Sequence, residues 1–339
     1  MKKQITWCAV LAVFVAAMAG CSAPADSPSG TPTTAPASVA GLAADVRLGL
    51  QWTEGNGDAV FSQNADGTDR RLVTNLPDGA LHPDWSPDGQ RLAYRSSVGG
   101  TDQIWIAEAD GSDPRVLAPC GGTCFGADFP AWSPDSGSLV YTAYDAPLSD
   151  DLPPAGSTLR VIDVESGDEA AVLASAPGEI LDNARWSPDG ELLAFQIDQF
   201  DASGVETALQ IAVAPAAGGE IRKITDGSMF ASYPDWNPVD SRIVFTTYDL
   251  GAFETLPDGA ASNLATIDVD GGGLTALTDL PPGGARVTQP SWTLDGTAVL
   301  ATNVSKSGTR SAAIVPGVGG DAVILPGGGA THVKQIPAT

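Results

Sequence analysis

Apolar residues along this chain come in short runs broken by clusters of Ser, Pro, Asp and Gly, a pattern that predicts strands and tight turns. In the best-marked unit Trp85 ends one run and Ser86-Pro87-Asp88-Gly89 turns the chain. Arg91 to Arg95, Gln103 to Glu108 and Arg115 to Ala118 then supply three more strands. Pro presets the second turn position, Asp suits the third, and Gly accepts a left-handed backbone at the fourth. The same hairpin recurs at Trp132, Trp186, Trp236 and Trp292, so the five tryptophans lie 47, 54, 50 and 56 residues apart. A period of that size points to a closed array of small sheets. Three hairpins depart from the pattern: Pro134-Asp135-Ser136-Gly137 reads as one residue longer, and Asn237-Pro238-Val239-Asp240 and Thr293-Leu294-Asp295 replace key residues.

A second turn marker, usually Asp-Gly or Gly-Gly, separates the third and fourth runs, as in Ala65 to Asp69 and Ala109 to Asp113. It occurs six times, against five tryptophan hairpins. The additional copy lies at the N-terminal end, where Val46 to Trp52, Ala59 to Gln63 and Arg71 to Val73 read as strands two, three and four without a first. The remaining unassigned run is Thr331 to Ile336. Pairing it beside Val46 to Trp52 closes a ring and removes the exposed edges of an open array. The expected fold is therefore all-β, a six-bladed propeller with four-stranded blades over 45–339. The repeated tryptophans are read as structural, each filling the wedge between neighbouring blades.

The repeat Pro-x-Trp-Ser-Pro-Asp-Gly, followed by apolar strands and an Asp-Gly turn, resembles that of the TolB-type propellers, which are distantly similar to WD-repeat propellers. The resemblance covers about Val46 to Ile336 and implies the fold. Similar propellers occur as sugar lyases and as non-catalytic domains of peptidases, so it does not imply one activity. No further domain is expected after the propeller, which argues against the peptidase arrangement.

Composition changes the picture at two points. With 39 Gly and 26 Pro, long helices are disfavoured, and a formal charge of −24 with 17 Lys+Arg excludes phosphate-backbone binding. The N-terminus reads as an export signal over 1–20: Lys2 and Lys3, an apolar stretch from Trp7 to Met18, then Ala19-Gly20-Cys21. Met18-Ala19-Gly20-Cys21 resembles the bacterial lipobox, which makes Cys21 the expected lipid attachment site and places the protein on the extracytoplasmic side of the cell membrane. The Ser-, Thr-, Ala- and Pro-rich residues of 21–44 read as a tether.

Cys120 and Cys124, with two glycines between them, are most simply a loop-closing disulfide in an exported protein, with redox or metal chemistry as alternatives. No cofactor or metal is expected. Calcium is the alternative for the Asp-Gly loops, which lack a distal Glu at EF-hand spacing.

Strand parity separates the two faces. Turns after strands one and three emerge on one face and are tight; the connections after strands two and four, such as Tyr144 to Ser157 and Asp249 to Ser262, emerge on the other and are long. Long loops on a rigid scaffold are where binding usually resides. The long-loop face carries Asp145, Asp150, Asp151, Asp198, Asp201, Glu206, Asp249, Glu254 and Asp258, so an envelope protein or glycan of basic character is the expected partner of a monomer. At the channel mouth, His82, Phe129, Asn183, Tyr233 and Gln289 precede strand one, four of them followed by Pro, and are expected to ring the axis as a small-ligand site. Neither Gly-x-Ser-x-Gly nor His-Glu-x-x-His occurs. The expected function is a membrane-anchored, non-catalytic binding module; the alternative is a carbohydrate-active enzyme using His82 with Asp128 or Asp182.

Overall fold

The computed structural model describes residues 38–338 apart from 40, 55–56, 75, 77, 123, 147–155 and 249–260. The signal, Cys21 and most of the tether lie outside the described residues, as do Asp150, Asp151, Asp249, Glu254 and Asp258. Six four-stranded antiparallel sheets surround a central axis as a six-bladed β-propeller. Blade 2 consists of Leu81–Trp85, Arg91–Val98, Thr101–Glu108 and Arg115–Ala118 in sequence order, and blades 3 to 6 repeat this meander. Blade 1 is composite. Its inner strand, Ala330–Gln335, comes from the far end of the chain and pairs antiparallel with Arg47–Glu54, which is followed by Gly57–Asn64 and Arg71–Thr74.

Six apolar clusters hold the ring, one at each seam between blades. Trp85, Trp132, Trp236 and Trp292 are each buried in one of them, and partly buried Trp186 packs against a fifth. Two indoles also bond across a seam: Trp132 Nε1 donates to the Asp84 carbonyl at 3.0 Å and Trp236 Nε1 to the Arg185 carbonyl at 3.1 Å. At the seam between blades 6 and 1 the strand carries Gln335 where the others carry Trp. There a two-stranded hairpin, Ser38–Val39 with Leu42–Ala43, inserts Leu42 among Leu48, Ala298, Ile314 and Leu325. Part of the segment read as tether thus completes the core.

The Ser-Pro-Asp-Gly turns show why the motif repeats. Ser86 Oγ donates to Asp88 Oδ1 at 2.5 Å and accepts from Arg91 N at 2.9 Å, while Gly89 N donates to the Ser86 carbonyl at 2.8 Å. Ser187, Ser133 and Thr293 make the same pair of side-chain bonds. The expectation of an inserted residue at Pro134 to Gly137 fails. Ser138 N reaches back to Ser133 Oγ over the same span, and Ser136, at φ 60°, occupies the left-handed position that Gly89 fills in blade 2. In blade 5, Asn237 Oδ1 accepts from Val239 N and Asp240 N instead.

These turns define one face of the disc. Ala44 and Val46 lie on it, because their carbonyls accept from Asp66 N and Ala65 N in the turn of Ala65 to Asp69. The chain therefore joins the propeller from the turn face, opposite the long connections.

Candidate mouth site

Each inner strand runs from the long-loop face to the turn face and is interrupted by a bulge, at Leu81/Asp84, Asp128/Ala131, Asp182/Arg185, Ser232/Asp235, Thr288/Ser291 and Thr331/Lys334. One residue of each bulge takes a left-handed backbone: His82, Phe129, Asn183, Tyr233, Gln289 and His332, with φ between 48° and 55°. A non-glycine residue in that region costs about 1 kcal/mol or more, and here it recurs once per blade around one axis. The five residues read from the sequence lie inside the inner strands rather than ahead of them.

The sixth member, His332, was not foreseen as part of the ring. Its strand lacks the Trp that marks the others, but placing Gln335 in the Trp position would have exposed it.

The second strand of each blade supports the ring of the next. Gln51 Oε1 accepts from His82 N at 2.9 Å, Gln196 Oε1 from Tyr233 N at 3.1 Å, Thr246 Oγ1 from Gln289 N at 3.1 Å, and Thr302 Oγ1 from His332 N at 3.2 Å. In blades 3 and 4 an aspartate mediates the contact. Asp128 Oδ1 accepts from Phe129 N while Asp128 Oδ2 accepts from Arg95; Asp182 Oδ1 accepts from Asn183 N and from Thr142 Oγ1.

Several ring side chains meet one another at the mouth. His82 stacks on Phe129 with centroids 4.1 Å apart, lies 4.5 Å from His332, and His332 meets the Tyr233 ring at 6.3 Å. His82 Nδ1 donates to Asp128 Oδ1 at 2.6 Å. Burial pushes the Asp128 carboxyl upward, but the His82 and Arg95 charges outweigh it and hold the group below its ordinary value. Thr302 Oγ1 donates to Gln289 Oε1 at 2.9 Å, which leaves Gln289 Nε2 to donate to His332 Nε2 at 3.0 Å. His332 is then neutral with its proton on Nδ1. Burial, and next the His82 charge, hold it well below the usual histidine range.

Below the ring, toward the turn face, Lys334 pairs with Asp84, and partly buried Asp235 feels both Lys334 and Arg185.

Above it, on the blade 4 side, is a carboxylate group of a different kind. Asp182 is buried, accepts from Thr142, Asn183 and Tyr144, and is still pushed up to about 7, first by burial and then by the Asp128 charge. Asp198, on the neighbouring strand two residues beyond Gln196, which faces Asp182, lies well above its usual value through burial and the charges of Asp182 and Glu206. Burial raises Glu206 to about 7. Sequence reasoning placed Asp198 on an open acidic face, whereas the fold draws it inward. Asp201 is a turn residue satisfied by Ser203 and Val205, and Asp145 is exposed. The turn face carries Asp66, Asp88, Asp110, Asp135 and Asp189, so acidity alone does not distinguish the two faces.

Cys120 and Cys124 are joined by a disulfide with Cα atoms 5.2 Å apart, in the connection between blades 2 and 3. Among the described residues no group of three or more His, Cys, Asp or Glu is arranged to hold a metal ion.

No family model matches the chain. It is 27% identical over 212 residues to the uncharacterized protein Atu1656 of Agrobacterium fabrum, covering 62% of this chain and 65% of that protein, so the chain spans less than two thirds of that relative's length. Among solved structures it superposes on TolB from Acinetobacter baumannii with a TM-score of 0.66 and 19% identity, over 88% of this chain and 69% of that one. The likeness is one of fold, the TolB-type β-propeller. An oligogalacturonate lyase in complex with manganese follows at a TM-score of 0.50 and 15% identity, over 80% of this chain and 71% of that one.

Proposed function

We propose that this chain is a non-catalytic binding module of the cell envelope, held by a lipid on Cys21, with its mouth face turned toward a protein, glycan or small ligand. The observation that carries the reading is the ring of six left-handed bulges whose side chains do not repeat as the backbone does, on the face opposite the one at which the chain joins the propeller. Six strained positions that hold His, Phe, Asn, Tyr, Gln and His are not needed for packing alone. An anchor ahead of Ser38 leaves the mouth facing outward. At about 5–6 Å times the square root of residue number, a flexible tether of that length spans roughly 20–25 Å between its ends.

The test is cross-linking in intact cells from a photoreactive residue at Asp145, beside the mouth, and from one at Asp270 on the turn face. Partner adducts from the first position alone support the reading. Adducts from the second alone overturn it.

One observation favours a second reading, a carbohydrate-active enzyme. The His82–Asp128 bond with Arg95 behind it is an oriented imidazole of the sort general-base catalysis uses. Depolymerisation of a glycan that is lost in His82→Gln would establish it.

A further inference from the structure

The mouth has a chemical polarity that the ring alone does not explain. Asp182, Asp198 and Glu206 all belong to blade 4, yet among the described residues no Lys or Arg forms an ion pair with any of them. Other cations are committed elsewhere: Arg95 to Asp102 and Asp128, Lys223 to Glu179, and Arg185 to the neighbourhood of Asp235. Gathering carboxylates without a cation leaves them protonated or repelling one another, a costly arrangement unless something positive comes to them.

An independent feature points the same way. Asn183, the ring residue of blade 4, is only 2% exposed, and its Oδ1 has no hydrogen-bond partner. Its backbone N–H is already given to Asp182, and it holds the left-handed ring position of blade 4, next in sequence to that carboxylate. A buried acceptor left open costs on the order of 1–3 kcal/mol, so it marks a place where a donor belongs. Beside it Tyr233 presents an aromatic ring whose hydroxyl is close enough to feel both Asp182 and Asp198. Neutral donors reach two of the carboxylates here, Thr142 and Tyr144 at Asp182 and Gln196 Nε2 at Asp198, but among the described residues no cation does. An N–H-rich cation satisfies the corner at once, by charge, by hydrogen bonds to Asn183 Oδ1 and the carboxylates, and by contact with the ring face.

We propose that the blade 4 side of the mouth binds a primary ammonium or guanidinium group, seated against Asp182, Asp198 and Glu206 and donating to Asn183 Oδ1. This deepens the binding-module reading and rests on it. The group can come from a free amine or from a Lys or Arg side chain of a protein.

Calorimetric titration of the full chain with 1,4-diaminobutane, with acetyl-lysine amide and acetyl-arginine amide, and with uncharged 1,4-butanediol tests the proposal. The amines bind, and butanediol binds roughly tenfold or more weaker, as expected for a hydrogen bond to a charged group. Asp198→Asn and Asn183→Gly each weaken the amines to a similar degree, whereas Asp270→Asn on the turn face does not. Tighter binding of the acetylated amino-acid amides assigns the group to a protein side chain, and tighter binding of diaminobutane to a free amine. Equal binding of butanediol, unchanged affinity in both mouth variants, or no binding of any amine overturns the proposal. Envelope cross-links from the Asp145 position would survive those outcomes, so the module reading can stand when the cation site falls.

Discussion

The turn face and the mouth face are built from the same repeat, and they use it in opposite ways. On the turn face the side chains repeat along with the backbone: Ser86, Ser133, Ser187 and Thr293 each close a local loop with an Asp two residues on. The polar groups of these turns are satisfied within the turns themselves. At the mouth the backbone repeats six times through the same left-handed bulge, but the side chains do not. One corner holds an imidazole–carboxylate–guanidinium relay, another a Gln–His pair, and a third a set of carboxylates without a cation. Repetition marks what the fold requires, and its breakdown on a conserved backbone geometry marks where selection for something else has room.

That contrast fails outright if the ring does not depend on its repeated parts. Deleting residues 330–339 removes the inner strand of blade 1, including fully buried Val333, and exposes the edge of Arg47–Glu54. The expected result is loss of the single cooperative thermal transition; a variant melting within a few degrees of the parent would refute closure by the tail.

Next in size, Trp132→Ala, at a buried seam, should cost about 3–5 kcal/mol in denaturant unfolding. Asn183→Gly sharpens the comparison, since it relieves a left-handed non-glycine residue and removes an orphan acceptor. It should be neutral or stabilising by up to about 1 kcal/mol; a loss as large as that of Trp132→Ala would make the ring purely structural.

The third effect is pH-dependent. Asp182 and Glu206 titrate near 7 in the native state. Between the unfolded carboxylate value and that point the folded chain binds more protons than the unfolded one, so their contribution to stability falls as pH rises from about 4 to 7. Asp182→Asn should flatten that fall by on the order of 2 kcal/mol, read from chemical denaturation at pH 5 and pH 8. A steeper fall in the variant would contradict the assignment. His332 works the other way, because a neutral buried imidazole loses stability only as pH drops below the unfolded histidine value.

Smallest, Ser187→Ala on the turn face should cost about 1 kcal/mol and leave that pH profile untouched.

Much of the fold was legible because the tryptophan hairpin binds a large apolar group to a fixed turn chemistry, and that pairing survives changes elsewhere. Where the tryptophan is absent, legibility fell: His332 escaped notice in a strand that ends in Gln335, and Leu42, standing in at that seam, was hidden in a Pro-rich stretch. The ring residues stood out by the prolines after them, since Pro83, Pro130, Pro234 and Pro290 hold the chain past the bulge. The inward turn of Asp198 could not be read, because whether an acid near a strand end faces solvent or its neighbours depends on the partner strands, here those of Asp182 and Glu206.

The composite first blade also imposes an order on synthesis. Blades 2 to 6 are each contiguous and can form as they emerge, but the first sheet waits for residues that are polymerised last. Until then Arg47–Glu54 presents an unmatched backbone to its surroundings. A stalled or prematurely terminated polypeptide therefore stays recognisably unfinished, and quality-control proteases that seek open sheet edges would find it.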